Sequence, residues 1–167
     1  MSNDLTKNDI KKIEEEIEYR KTVVRKEAIE AVKEARAHGD LSENFEYYAA
    51  KRDKNKNESR IRYLERMIKT AHIIEDTSAE DEIGLYSKVI LYFEEEDETE
   101  EYKIVTSIRG DSLKNLISIE SPLGKALLGH KAGDRVYIPL NAADGYYVVV
   151  QAMEKTVDDG TDAIRSY

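Results

Sequence analysis

The sequence contains no cysteine among its 167 residues. This absence excludes a disulfide framework, a thiolate metal site and a cysteine nucleophile. No stretch approaches the roughly 20 apolar residues that a membrane span requires. The first residues have neither the basic nor the apolar region of a secretion signal. We therefore expect a soluble, cytoplasmic protein with no membrane partner.

The acidic charge of the chain is concentrated in its second half. Residues 1–75 hold 17 Lys and Arg against 16 Asp and Glu, whereas residues 76–167 hold 9 against 19. Within the first half, residues 51–69 hold eight basic and three acidic side chains. Such a segment is either a solvated helix face with i,i+4 ion pairs or a surface for polyanion contact. Both interpretations stay open at this point.

A long stretch of the first half, residues 8–38, also contains no proline and no glycine. Apolar residues recur there at steps of three and four, at Ile10, Ile13, Ile17, Val24, Ala28, Ala31 and Ala35. This spacing predicts a long amphipathic helix. Thr6 and Asp9 resemble a capping box at its start, and Gly39 is placed to end it.

A second helical pattern follows from about residue 43 to residue 73. Its apolar and small seam residues are Tyr47, Ala50, Ile61, Leu64, Ile68 and Ala71. Residues that face each other across an antiparallel hairpin have numbers with a constant sum. Ile10 with Ala71 and Ile17 with Leu64 both give 81, which places the reversal at residues 40–41. The pattern predicts a helical hairpin packed along its two seams.

Two polar residues, Lys54 and Asn57, interrupt the second seam halfway along its length. We expect weak packing and some bending there. A rod with a short tip is either a reaching device or an oligomerisation element. The constant sum favours a self-contained hairpin and hence a monomer, and a coiled-coil oligomer is the alternative.

The second half has the pattern of a separate domain with strands. We predict a hairpin domain at residues 1–75, a linker at 76–83, a second domain at 84–154 and a polar, frayed tail at 155–167. Five strands are predicted, at residues 87–93, 102–108, 115–119, 134–140 and 146–152. The acidic run between the first two is expected to be an exposed connection. A Ser-Pro start predicts one short helix at residues 121–129. The expected fold is α+β, with a small antiparallel sheet after the hairpin.

Three carboxylates, Asp40, Glu43 and Glu46, lie within one turn of the predicted reversal. One interpretation is structural: Asp40 or Ser42 caps the second helix, and Glu43 or Glu46 completes a capping box. Taken alone, the residues favour that role. The functional interpretation is that Asp40 and Glu43 offer oxygen ligands to a Mg²⁺ ion, which takes few protein ligands and keeps several waters.

Two motifs resemble the signatures of one protein family. Residues 35–51, Ala-Arg-Ala-His-Gly-Asp-Leu-Ser-Glu-Asn-Phe-Glu-Tyr-Tyr-Ala-Ala-Lys, resemble the tip signature of the GreA/GreB transcription elongation factors. Residues 115–129, Asn-Leu-Ile-Ser-Ile-Glu-Ser-Pro-Leu-Gly-Lys-Ala-Leu-Leu-Gly, resemble the second signature of that family. The similarity covers roughly residues 6–153, and it lies nearer to the GreA branch.

The resemblance implies an FK506-binding-protein-like second domain that docks on bacterial RNA polymerase while the hairpin enters the secondary channel. Asp40 and Glu43 match the acidic pair that helps to hold a second Mg²⁺ in the polymerase active site. That metal orients water for cleavage of backtracked RNA. The resemblance therefore implies an activator of the polymerase rather than an enzyme. A DNA-binding role is also expected of the family.

Basic residues behind the tip are candidates for RNA contact. Arg36, Lys51 and Arg52 are placed where the displaced RNA 3′ segment would pass, and helix solubility is their alternative role. Ser121, Pro122 and Leu123 are candidates for polymerase docking, although a Ser-Pro helix start explains them equally well.

The chain also departs from the family pattern. Phe45 stands where the family commonly has a small residue, and the tail after Glu154 has no usable counterpart. These departures keep open a second hypothesis, namely a paralogue that occupies the channel and regulates or inhibits the polymerase without stimulating cleavage.

Overall fold

The computed structural model describes residues 3–39, 44–160 and 162–165. The chain forms two compact units. One unit comprises Ile10–Ala71, and the other comprises the residues up to Asp9 together with those from His72 onwards. None of the helices in the described ranges has the length and hydrophobicity that a bilayer crossing requires.

The predicted helical hairpin is confirmed. Its first arm consists of α1 (Lys7–Tyr19), a single π-helical turn (Arg20–Val24) and α2 (Arg25–Ala37), and its second arm is α3 (Phe45–Lys69). The predicted capping box starts α1: the Thr6 backbone N–H donates to Asp9 Oδ2 at 3.0 Å, and the Asp9 N–H donates to Thr6 Oγ1 at 3.1 Å. Two otherwise unpaired donors of the first turn are satisfied in this way.

The predicted seam of α3 is also confirmed, because its buried and half-buried side chains include Tyr47, Ala50, Lys54, Asn57, Ile61, Leu64 and Ile68. On the first arm the prediction fails at one position. Ala31 is exposed, whereas Val32 and Ala35 are turned inward. The π-helical turn accounts for this, since it adds one residue to the arm, so that the inward position that would fall at residue 31 falls at residue 32.

The middle of the hairpin differs from the weakly packed segment that the sequence predicts. Asn57 and Arg60 are only 4% and 7% exposed there. They take part in a hydrogen-bonded layer with Glu16 and Arg20 from the first arm.

The second unit contains two sheets and a short helix. Strands β1 (Asp4–Leu5) and β2 (His72–Ile73) pair in parallel, an element that the sequence did not predict. The larger sheet has the order β5-β4-β3-β7-β6. Its strands are β3 (Lys88–Phe93), β4 (Glu98–Val105), β5 (Leu116–Ser118), β6 (Arg135–Pro139) and β7 (Gly145–Glu154), and α4 spans Pro122–Leu127.

The larger sheet is mixed rather than purely antiparallel, which corrects the prediction. Strand β5 runs parallel to β4, with Lys103 opposite Leu116. The intervening chain makes two 3-10 turns, at Ser107–Arg109 and Ser112–Lys114. These turns bring β5 back in the direction of β4, because parallel strands require a crossover rather than a tight hairpin.

Half of the acidic run between β3 and β4 belongs to strand β4, so the predicted connection was too long. The turn is confined to residues 94–97, and Phe93 already pairs with Glu98. Asp97 adopts a left-handed φ of 52°, and its carboxylate accepts a hydrogen bond of 2.7 Å from the Tyr92 hydroxyl. The carboxylate side chains of β4 are exposed to solvent, while the backbone of the same residues pairs with β3.

The core of the sheet unit follows the alternation of its strands. In β3 and β6 the inward residues Val89, Leu91, Val136 and Ile138 are buried, while their neighbours are exposed or, at Tyr92, half-buried. Leu127 covers this face from α4 and has no exposed surface. Each such side chain contributes about 1.5–3 kcal/mol of apolar burial.

The tail is more ordered than its composition predicts. Asp162 accepts a hydrogen bond of 2.6 Å from the Lys103 ammonium group, and the Arg165 N–H donates to the Ile108 carbonyl at 2.7 Å. Asp158 accepts from the Arg109 guanidinium at 2.9 Å. Cations of the sheet unit therefore hold the described tail residues.

Candidate functional site

At the hairpin tip, the end of α2 and the start of α3 are each fixed by specific hydrogen bonds. Helix α2 ends at Ala37, and the His38 N–H donates to the Ala35 carbonyl at 3.2 Å. Gly39 follows with a φ of 119°, a conformation that residues with a Cβ rarely adopt. The predicted glycine end of the first arm is thereby confirmed.

Asn44 starts the second arm and also joins it to the first. Its Oδ1 accepts from the Tyr47 N–H at 3.0 Å, which caps α3. Its Nδ2 donates to the Ala35 carbonyl at 2.6 Å, and that carbonyl belongs to the last turn of α2. One amide side chain therefore closes both helices at the tip, where each would leave backbone groups unpaired.

Asp40 and Glu43, the predicted catalytic and Mg²⁺-binding pair, lie outside the described residues, as does Ser42. The structure nevertheless corrects the capping interpretation. Asn44 supplies the cap of α3, the role that this interpretation gave to Asp40 or Ser42. Glu46, offered as a partner in a capping box, instead lies 3.0 Å from His38 Nδ1.

Among the described residues of the tip, Phe45 presents its apolar side chain to solvent. Phe45 is the first residue of α3 and is 85% exposed. On the seam, Tyr47 is half-buried and contacts Tyr48 edge-on, with 5.4 Å between the ring centroids. Tyr47 thus has the packing role that its seam position predicts.

The three candidate RNA-contact residues, Arg36, Lys51 and Arg52, are all exposed. The Arg36 guanidinium lies over the Tyr47 ring, 5.7 Å from its centroid. This cation–π geometry restricts Arg36 at the end of α2, whereas Lys51 and Arg52 lie on α3. The three cations have the exposure that contact with a polyanion requires.

Two basic residues of the first arm form ion pairs with acidic residues of α3. Arg25 lies 3.0 Å from Glu58, and Lys21 lies 2.7 Å from Glu65. Burial works against ionisation of Glu16, but hydrogen bonds and charge from Arg60 and Arg20 outweigh it. The pKa of Glu16 is therefore lowered from its ordinary value.

The three candidate docking residues have different surroundings. The Ser121 hydroxyl accepts from the Gly124 N–H at 3.0 Å and donates to the Ser118 carbonyl at 2.7 Å, so Ser121 caps α4. Leu123 packs against the core. Pro122 is exposed. Of the three, Pro122 is therefore the most accessible to a partner.

Pro122 borders a shallow groove of about 440 Å³ between α4 and β6. Lys125, Arg135 and Tyr137 line the same groove. The Arg135 guanidinium stacks over Tyr147, 3.7 Å from its ring centroid, and Tyr137 and Tyr147 are 45% and 40% exposed. Exposed tyrosine and arginine are the residue types enriched at protein interfaces.

Two residues with clear structural roles at the hairpin escaped the sequence reasoning. Asn44 had a detectable signal, since asparagine is among the preferred capping residues and Phe45 begins the helical pattern. Asn57 was recognised only as a polar interruption of the seam. In the described ranges, which omit residues 40–43, no group of three or more His, Asp or Glu side chains is arranged to hold a metal ion.

Comparison with known proteins identifies the family. Residues 3–73 match the family model described as "Transcription elongation factor, N-terminal", and residues 78–154 match "Transcription elongation factor, GreA/GreB, C-term". The expected DNA-binding role finds no support in these descriptions.

Relatives match over most of the chain. It is 48% identical over 139 residues to the transcription elongation factor GreA of Thermoanaerobacter pseudethanolicus, covering 83% of this chain and 88% of that protein. It is 46% identical over 135 residues to GreA of Bacillus licheniformis, covering 80% and 85%. Among solved structures, the GreA factor homolog 1 (Gfh1) of Thermus thermophilus is 28% identical, with a TM-score of 0.42 over 93% of this chain and 100% of that chain. The two family models and the identity to GreA proteins show that the chain belongs to the GreA/GreB family of transcription elongation factors.

Proposed function

We propose that this chain binds bacterial RNA polymerase and stimulates the polymerase's own cleavage of backtracked RNA, which rescues arrested complexes. The chain is not itself the enzyme. The proposal rests on one observation at the tip: Asn44 caps α3, so the carboxylates of Asp40 and Glu43 are not needed for that purpose. Their place in the tip sequence, in a chain of this family, favours a role toward a partner.

Carboxylate oxygens are the ligands that Mg²⁺ prefers, and two of them make an incomplete cage. We therefore infer that Asp40 and Glu43 add ligands to a Mg²⁺ ion in the polymerase active site. Bound there, such an ion activates water and stabilises the charge that develops on the phosphate. The contribution of this chain is to present the two carboxylates at the hairpin tip, where Gly39 follows the end of α2 and Asn44 caps α3.

Arg36, Lys51 and Arg52 extend the proposal to the RNA. All three are exposed behind the tip, and phosphate attraction favours their contact with the displaced 3′ segment. Neutralising one of them is expected to weaken the response to long backtracked segments most strongly, because those segments offer more phosphates.

Docking is proposed for the sheet unit, at the surface around Pro122. The groove beside Pro122 combines an apolar floor with the cations of Lys125 and Arg135. Ser121 supports this surface by capping α4, and Leu123 anchors the helix to the core. On this view the factor acts as a monomer in the cytoplasm, where the polymerase is.

The test uses backtracked elongation complexes supplied with Mg²⁺ and saturating factor. Asp40→Asn and Glu43→Gln should each abolish most of the stimulated cleavage, while Glu46→Gln serves as the matched control on the same tip. Stimulation that survives both substitutions would overturn the proposal. Slower elongation without shortened transcripts, already with the unmodified protein, would instead establish the paralogue hypothesis of channel occupation without cleavage.

A further inference from the structure

The first arm of the hairpin contains one turn that the second arm lacks. At Arg20–Val24 the helix is π-helical, and the Arg25 N–H donates to the Arg20 carbonyl five residues back. A π-helical turn holds one residue more than the α-helical turn that it replaces, and such turns are rare and often mark functional positions.

The seams of the two arms explain why an additional residue is present. On α3 the inward positions run 47, 50, 54, 57, 61, 64 and 68, with steps that alternate between three and four. On the first arm they run 13, 17, 20, 24, 28, 32 and 35, with three successive steps of four. An uninterrupted alternation from residue 20 would reach 24, 27, 31 and 34. The first arm therefore carries one inserted residue, and the π-helical turn absorbs it.

Asn57 of α3 contacts this turn with both ends of its amide. Its Nδ2 donates to the Arg20 carbonyl at 3.2 Å, and its Oδ1 accepts from Arg20 Nη1 at 3.0 Å. Asn57 is 4% exposed. The two hydrogen bonds therefore engage the backbone carbonyl of Arg20, at the start of the π-helical turn, and the side chain of Arg20.

Glu16 and Arg60 complete the polar layer. Glu16 Oε2 accepts from Arg20 Nε at 2.7 Å and from Arg60 Nε at 2.9 Å. A single buried polar layer in a coiled coil commonly specifies the register at a cost in stability, because other registers leave its groups unpaired. The layer therefore favours one arrangement of the arms over its neighbours.

We propose that Asn57 and Arg20 form a register lock that places the inserted residue at Arg20–Val24. The lock fixes the rotation of α2, and thus of the tip-proximal half of the first arm, relative to α3. If the additional residue were absorbed nearer the tip, the intervening residues would rotate by about 100° about the helix axis. This role of the lock rests on the proposed function. Asn57 is then a positioning residue for cleavage, because it orients the tip and acts far from the reacting atoms.

Pairs of spin labels can test the lock directly, because the sequence has no cysteine that would compete for labelling. One pair, at Glu27→Cys and Asp53→Cys, lies on the tip side of the turn, and the other, at Glu14→Cys and Arg66→Cys, lies on the base side. All four positions are exposed. In the otherwise unmodified protein we expect one narrow distance distribution for each pair.

Asn57→Leu should broaden or shift the distribution of the tip-side pair and leave that of the base-side pair unchanged. The matched control is Lys54→Leu, at the adjacent seam position, which should change neither. Deleting Thr22 removes the inserted residue, so it should restore one narrow tip-side distribution in the Asn57→Leu background. An unchanged tip-side distribution in Asn57→Leu, or no restoration by the deletion, would overturn the lock. Restoration also separates loss of register from general unfolding, which a deletion within a helix would not repair.

The functional measurement is cleavage of backtracked RNA at varied factor concentration. Asn57→Leu should lower the maximal rate by about tenfold or more, since small displacements of a positioned group are costly in rate. The half-saturating concentration should stay unchanged, because docking belongs to the other unit. A raised half-saturating concentration with an unchanged maximal rate would exclude the positioning role. If the unmodified protein does not stimulate cleavage, the proposed function fails, and the label distances still decide on the register lock.

Discussion

Arg109 and Asp9 form an ion pair that is almost completely buried. Arg109 Nε donates to Asp9 Oδ1 at 2.5 Å, and the two side chains are 1% and 0% exposed. Asp9 Oδ2 accepts a further hydrogen bond of 2.8 Å from the Thr106 hydroxyl. Asp158, in the tail, contacts the other side of the guanidinium at 2.8 Å. Two carboxylates that lie about 150 residues apart in the chain thus depend on one cation.

Replacing Arg109 by Met should lower the free energy of unfolding of the sheet unit by about 3–5 kcal/mol, because two buried carboxylates lose their cation. Urea denaturation followed by circular dichroism measures the change. Arg135→Met is the control, since the Arg135 side chain is 55% exposed and its pair with Glu94 lies at the surface. Equal destabilisation by the two substitutions would contradict the buried role of Arg109.

The tail should make a pH-dependent contribution to stability through Asp158. Burial opposes its ionisation, but the Gly160 N–H, Arg109 and Tyr86 favour the carboxylate, so the pKa of Asp158 is lowered from its ordinary value of 3.8. The contribution is therefore present above pH 3.8 and lost as the pH falls through the lowered folded-state pKa. Asp158→Asn should reduce the slope of unfolding free energy against pH in that acid range. An unchanged slope would show that Asp158 of the tail is not paired with Arg109 in solution.

Asn44 should stabilise the tip through both of its hydrogen bonds. We expect Asn44→Ala to lower the free energy of unfolding by about 1 kcal/mol through loss of the α3 cap. It should also reduce stimulated cleavage, since the Ala35 carbonyl loses its partner across the tip. Phe45→Ala, at the neighbouring 85% exposed position, should change stability by less than about 0.5 kcal/mol. Thermal denaturation measures the stability of the two variants. Equal destabilisation by both substitutions would contradict the stabilising role of the two Asn44 hydrogen bonds.

Gly124 should not tolerate a side chain. A Cβ at this position would lie 2.0 Å from the Ser118 carbonyl oxygen, where α4 packs closely on the end of β5. We expect Gly124→Ala to destabilise the sheet unit by about 1–3 kcal/mol, because backbone must move. Gly110→Ala is the control, since its nearest new contact would be 3.4 Å and its φ is −61°. Denaturant titration that ranks Gly110→Ala as the more harmful substitution would contradict this packing.

Local patterns in the sequence were sufficient for most of the helical elements. The spacing of apolar residues predicts both arms, and the capping box of Thr6 and Asp9 is the one in the structure. The Ser-Pro start of α4 is equally local, because Ser121 caps a turn that begins one residue later. Interactions within four residues decide all of these features, so the sequence carries them directly.

The candidate site was likewise predictable from the sequence only where local patterns define it. The tip motif predicts Asp40 and Glu43 at the reversal, and family membership follows from residues that can be read without coordinates. The capping role was misassigned, because Asp40, Ser42 and Asn44 are similar as N-cap residues. Only the bond from Asn44 across to Ala35 distinguishes the residue that ends one helix and starts the next.

The sequence by itself determined the two helical arms, most of their seam positions, the capping box of the first arm and the family. The tertiary structure decided what depends on partners far away in the chain. It turned Ala31 outward through the π-helical turn, paired β5 in parallel with β4, and placed Asp9 and Asp158 on the two sides of Arg109. The physical reason is that periodicity reports which face of an element is apolar, whereas the pairing of buried polar groups depends on where distant segments meet.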